Sequence, residues 1–183
     1  MMRHLAILVL PLLLAACVNL GSGTAPSRHY LVPSLLDTGT TAPAEARRSF
    51  RVSARLPAYL DRPELQRRRD AARVEPFDFD RWAEPPAEMI ARVVTENLSV
   101  LGIPAQADWR LQLEVHRFEG TAEGALVQLD WRYAGSDGKE VLTGSFRRLV
   151  PVTPVTPEGL VQAFGMLLTD FSRELATQLA QQQ

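Results

Sequence analysis

Trp109-Arg110-Leu111-Gln112-Leu113-Glu114-Val115 and Val127-Gln128-Leu129-Asp130-Trp131-Arg132-Tyr133 share one pattern. In each run every second residue is apolar and the residues between are polar. Successive strand side chains point to opposite faces, so this period of two means strands with one buried and one wet face. A Gly120–Gly124 turn joins the two runs, and Asp137-Gly138 marks a tight hairpin into a third strand, Val141 to Val150. That third strand is less regular, because Gly144 and Arg148 fall on the face of Leu142, Phe146 and Val150.

Two helices flank this meander. Pro86 to Leu101 places Met89, Ile90, Val93, Val94, Leu98 and Leu101 on one face, with Pro86 suited to the first turn and Gly102 to the stop. At the C-terminal side Thr156 is a good N-cap, Pro157 fits the first helical position, and an apolar stripe runs from Leu160 through Phe164, Leu168, Phe171 and Leu175 to Leu179. Upstream, Phe50, Val52, Ala54 and Leu56 alternate as a strand. Leu65–Arg68 and Val74–Phe79 read as a hairpin around Arg69-Asp70-Ala71-Ala72, and Pro76 demotes its second arm to an edge strand. His29 to Val32 is a short extended segment. The expected fold class is α+β, a two-layer sandwich of a mainly antiparallel sheet with helices 86–101 and 157–180 on one face. Phe164, Leu168, Phe171, Leu175, Val94 and Leu98 should be buried together.

The 183 residues are 46% apolar and carry 20 basic against 21 acidic side chains, net −1, which suits one globular domain and argues against a basic nucleic-acid-binding surface. One cysteine excludes a disulfide within the monomer and a Cys-cluster zinc site. His4, His29 and His116 leave little for any other metal. Asp78, Asp80 and Glu84 read as a solvated loop after an edge strand rather than as a glycosidase carboxylate pair. His116 reads as a surface histidine with no nucleophile beside it. No Gly-rich phosphate loop and no G-x-S-x-G elbow is present. The expectation is a non-enzymatic module with no catalytic residue, no metal and no cofactor beyond covalent lipid.

That lipid is placed by the first segment. Arg3 precedes a 12-residue apolar stretch, Leu5 to Ala16. It is too short for a helical span, which needs about 20 residues, and reads as a secretory signal. It ends in Leu14-Ala15-Ala16-Cys17, which matches the lipobox of bacterial lipoproteins. The expected organisation is a signal peptide over 1–16, a lipidated Cys17 with a Gly/Ser/Thr/Pro-rich tether over 17–28, and a single domain over 29–183. Cys17 would carry diacylglycerol and an N-acyl chain such as palmitate. Val18 and Asn19, rather than Asp, follow the cysteine. The expected address is therefore the inner leaflet of the outer membrane, facing the periplasm. Arg47 to Arg81 is locally basic, with ten arginines against six acids. Its Arg67-Arg68-Arg69 run either meets anionic headgroups or an acidic partner, or keeps a strand edge solvated.

Several segments together resemble the PqiC-like auxiliary lipoproteins of bacterial ABC-type MCE transporters. They are His29-Tyr30-Leu31 soon after the lipobox, Leu56-Pro57-Ala58-Tyr59-Leu60-Asp61-Arg62-Pro63, and Arg81-Trp82-Ala83-Glu84-Pro85 followed by Asn97-Leu98. Pro86, where the family has Leu, is one departure, and Pro76 with the arginine triplet is another. The resemblance implies an outer-membrane lipoprotein that binds a periplasmic MCE-domain protein, itself a phospholipid conduit driven by an inner-membrane ABC permease and ATPase. It implies a dock in lipid transport, and a lipid-tethered homo-oligomer could surround such a conduit. Tyr59, Asp61, Arg62, Trp82 and Glu84 read either as partner or oligomer contacts or as a structural corner in which the prolines set the turns, the aromatics fill the base and the charges fix the loops. Trp82 is expected to hold the fold and Arg62 to make the contact. At a shared end of the sheet, Asp61 or Glu84 would pair with Arg62 or Arg81 above Tyr59 and Trp82. The alternative is a structural or assembly lipoprotein of the envelope, serving outer-membrane biogenesis or peptidoglycan contact.

Overall fold

The computed structural model describes residues 25–41, 51–103, 109–135 and 140–181. The expected signal segment, Cys17, Phe50 and the expected Asp137-Gly138 turn lie outside the described residues. The described elements run β1 (Arg28–Tyr30), a 3-10 turn (Leu36–Thr38), β2 (Arg51–Arg55), β3 (Glu64–Arg68), β4 (Val74–Trp82), α1 (Pro86–Val100), β5 (Trp109–Gly120), β6 (Gly124–Gly135), β7 (Glu140–Pro151) and α2 (Pro157–Ala180).

The strands form one seven-stranded sheet in the order β1-β4-β3-β5-β6-β7, with β2 also on β5. The long pairings β5–β6 and β6–β7 and the β3–β4 hairpin are antiparallel, as the alternation predicts. Three shorter pairings are parallel: β1 with β4, β2 with β5, and β3 with β5. Thus β2 and β3 follow one another along the same edge of β5, and Leu56–Pro63 is the excursion between them. Pro76 sits opposite Gln66, on the part of β4 that β1 leaves uncovered, because β1 pairs only with Asp80–Trp82. The edge-strand expectation therefore holds for the N-terminal part of β4 alone.

Both helices cover one face, and the expected six residues are all in the core. Phe118 of β5 stacks on Phe164 of α2 at 4.2 Å between centroids, and Trp82 lies 5.8 Å and 6.0 Å from those two rings. Thr156 caps α2 by accepting a bond from the Gly159 amide at 3.2 Å. At the end of α1, Gly102 takes φ +73°, a left-handed conformation that glycine adopts without Cβ strain.

The irregularity of β7 has two causes. Gly144 lies beneath the Trp131 indole, where a Cβ would come within 2.7 Å of the ring. Arg148, at the rim of the helix-covered face, pairs with Asp170 at 3.0 Å and with Glu174, both on α2. Gly144→Ala is expected to overpack this contact and lower stability by about 1–3 kcal/mol, read by chemical denaturation.

A buried amide ties the N-terminal segment to both helices. Asn97 is fully buried in α1, accepts the Leu35 amide at 2.8 Å, and donates to Ser172 Oγ of α2 at 3.3 Å. Nearby, the Tyr30 hydroxyl lies 2.9 Å from Asp80 and 2.7 Å from Glu158, and Arg28 reaches both carboxylates. Burial above all, with the two carboxylates adding to it, holds the Tyr30 phenol far above its usual range.

Candidate functional site

The face of the sheet away from the helices is polar and uncovered by any described element. It is built by the same alternation that builds the core: Leu111, Leu113 and Val115 point to the helices, and Arg110, Gln112 and Glu114 point away. A β-bulge between Val115 and Arg117 then inserts one residue into β5. Such an insertion shifts the in–out parity of the residues after it. Phe118 is thereby sent to the core and Glu119 to the open face.

Glu119 is nonetheless fully buried. Arg68 of β3 closes over it with Nε at 2.7 Å and Nη2 at 3.3 Å from the two carboxylate oxygens, and Arg117 Nε also pairs with it. Arg68 Nη2 further donates to the Tyr59 hydroxyl at 3.3 Å, and its guanidinium lies 5.8 Å from the Tyr59 ring centroid. Burial pushes the Tyr59 phenol up, as does the Glu119 charge, while Arg68 opposes the shift. The buried carboxylate therefore fixes two guanidiniums and a tyrosine on the open face, as charge-assisted bonds in low dielectric do.

Two grooves lie on either side of this network. One, of about 460 Å³, is lined by Tyr59, Arg62, Glu64, Gln66, Pro76 and Arg81 among others. The second, of about 520 Å³, runs over β2, β5, β6 and β7 past Ser53, Arg55, Glu114, Asp130, Arg132 and Ser145. Arg55, Arg62 and Arg132 have no ion-pair partner among the described residues. His116 Nε2 lies 2.8 Å from Asp130, and that bond, with a further one from Ser145, lowers the Asp130 pKa. Asp130 thus stands between the serine and the imidazole. In a Ser-His-Asp triad the imidazole bonds the serine directly, and here the carboxylate occupies that middle position instead.

Of the predicted contact residues, Tyr59 and Arg62 meet on the first groove, with the exposed Asp61 beside them on the same connector. Trp82 and Glu84 do not join them. Trp82 is buried against Phe118 and Phe164, and Glu84 pairs with Arg92 of α1 at 2.7 Å. Arg81 instead pairs with Glu64 at 3.3 Å, across the β3–β4 register. The expected pairing of Asp61 or Glu84 with Arg62 or Arg81 is replaced by these two. Both new partners become neighbours only through the hairpin register and the start of α1. Asp78 and Asp80 lie within β4 rather than in a loop, and Arg28 holds Asp80 at 2.8 Å. The pattern of the sequence does not single out Glu119. Arg117, two positions before it, is its one local signal, and Arg68 is 51 positions away.

The sequence matches the family model of the ABC-type transport auxiliary lipoprotein component over residues 30–176. No curated protein matches it. Among the solved structures that share the fold are the following two. One, of an uncharacterised protein, is 15% identical, has a TM-score of 0.69, and aligns over 84% of this chain and 99% of its own. The other, a Xanthomonas campestris protein of the DUF330 family, is 21% identical, has a TM-score of 0.65, and aligns over 85% of this chain and 100% of its own.

Proposed function

The chain belongs to the ABC-type transport auxiliary lipoprotein component family, and on that premise we propose that it is an outer-membrane subunit that docks a periplasmic MCE-domain protein. It is a transport-associated auxiliary lipoprotein. In the finer reading, Cys17 carries the acyl chains, the domain faces the periplasm, and energy comes from an inner-membrane ABC permease and ATPase. The chain itself acts by binding, as a homo-oligomer around the conduit, with no reaction of its own.

The observation that carries this reading is the uncovered sheet face with its unpaired arginines, Arg62 in the groove with Tyr59 and Arg55 and Arg132 in the other. A sheet face left without a helix layer, bearing Arg and Tyr over a rigid network, has the residue types that anchor protein interfaces. Arg62→Ala tests it. Arg62 makes no ion pair among the described residues and is exposed, so the variant should melt within about 0.5 kcal/mol of the parent. Its recovery of the MCE-domain protein from detergent-solubilised envelopes should fall at least several-fold. Undiminished recovery would remove Arg62 from the interface.

A further inference from the structure

We infer that the end of the sheet carrying the β3–β4 and β5–β6 turns faces the membrane and binds the phosphodiester of an anionic phospholipid headgroup. The inference rests on the lipid-anchored reading above and adds a binding site to it.

Strand direction supplies the orientation. β1 runs parallel to β4, with Arg28 opposite Asp80 and Tyr30 opposite Trp82. The segment before Arg28 is therefore aimed back along β4, toward Val74 and the β3–β4 turn. Arg67 pairs with Gly120, so the β5–β6 turn lies at that same end, and Gly124 pairs there with Pro151 at the end of β7. Eleven positions separate Cys17 from Arg28. Fully extended they span at most roughly 40 Å. An acyl chain on Cys17 thus keeps the bilayer surface within reach of this end of the sheet.

That end holds a cavity of about 320 Å³ between the two turns, lined by Arg68, Arg69, Arg117 and Arg147 over Leu126 and Leu149. Leu126 is buried although it lies on the polar face. The four guanidiniums are not equally occupied. Arg68 is spent on Glu119, Tyr59 and the Ala71 carbonyl, and Arg69 on Glu75. Arg117 engages Glu119 through Nε, which leaves both of its Nη groups without a partner among the described residues. Arg147, on the outward side of β7 opposite Gln128, has no ion-pair partner among them at all. Two acids also line the cavity. Asp70 is occupied by the Ala72 and Arg73 amides, both at 2.9 Å, and Glu123 sits in the β5–β6 turn. Fork-shaped donors with free nitrogens, one of them held by a buried carboxylate, suit the non-bridging oxygens of a phosphodiester. The apolar floor suits the glycerol backbone above acyl chains.

The test uses the lipidated chain in neutral detergent, titrated calorimetrically with glycerophosphoglycerol, glycerophosphocholine and inorganic phosphate. Glycerophosphoglycerol should bind saturably, and Arg147→Ala should weaken it about tenfold, the effect of losing one charge-assisted bond. Arg55→Ala, which removes an unpaired arginine from the other groove, should bind as the parent does. Equal binding by Arg147→Ala, equal loss in Arg55→Ala, or equal affinity for glycerophosphocholine would each overturn the assignment. Binding of inorganic phosphate alone would reassign the cavity to a free anion. The mass of mature Cys17 and its membrane fractionation are read separately. A lipidated, membrane-bound chain that ignores the headgroup sinks the site alone, whereas an unlipidated chain sinks the anchoring reading whatever the titration gives.

Discussion

Phe164→Ala is expected to lower the unfolding free energy by about 3–5 kcal/mol, the usual cost of emptying a buried phenylalanine site. Phe164 is buried where α2 meets the sheet, stacked on Phe118 and in edge contact with Trp82. Those neighbours come from two separate strands, β4 and β5, and rings fixed on a sheet collapse poorly into a void. Met166, two positions along the same helix, is 58% exposed. Met166→Ala should change stability by no more than about 0.5 kcal/mol. Denaturant melts of the two variants check the assignment. A small effect at Phe164, or one equal to that at Met166, would mean that α2 is rotated from its described seat.

Arg68→Ala should cost about 3–5 kcal/mol, because it strips a fully buried carboxylate of its main partner. The side chain of Glu119 has no exposure, whereas those of Arg68 and Arg117 keep 21% and 27% of theirs. The asymmetry decides which variant suffers more. Without Arg68, Glu119 stays enclosed with Arg117 as its one remaining cation. Without the Glu119 charge, both guanidiniums still reach water. Glu119→Gln, which keeps the shape and removes the charge, should therefore be milder, by at least about 1 kcal/mol. Urea melts at neutral pH rank the two variants, and the reverse order would show that the network is held mainly by the arginines' own packing.

How far the fold is legible in the sequence follows from the range of each signal. The core face of β5, β6 and α2 is legible because period two and the helical stripe are local properties. The Thr156 cap is legible because its partner, the Gly159 amide, is three positions on. Gly144 and Arg148 stand out as breaks in the pattern, but their reasons, Trp131 and the Asp170–Glu174 pair, lie on other elements. The parallel seats of β2 and β3 on β5 are not legible, since nothing in either strand specifies its neighbour. For the candidate site, the Tyr59–Arg62 connector was legible as a motif. Trp82 was legible there as a packing aromatic, and it is buried against Phe118 and Phe164. The pairing of Glu84 with Arg92 was not, because it depends on where α1 begins in space. Glu119 was hidden by the bulge: without the extra residue in β5, strict alternation assigns position 119 to the core face, where a carboxylate makes no sense.

The way β1 enters the sheet also has a mechanical meaning. A load applied to the N-terminal segment pulls along the axis of β1, whose three residues lie parallel to Asp80–Trp82. Hydrogen bonds set across the direction of pull are strained together, in shear, rather than opened one after another like a zip. Beyond the strand, the same load meets Arg28 on Asp80 and Glu158, then the Leu35 amide on Asn97, which is itself held to Ser172. A tug arriving from an anchored end is thus spread over β4 and both helices before it can peel the segment away. The domain takes force at its N-terminus as a rivet plate takes it, across several fastenings at once.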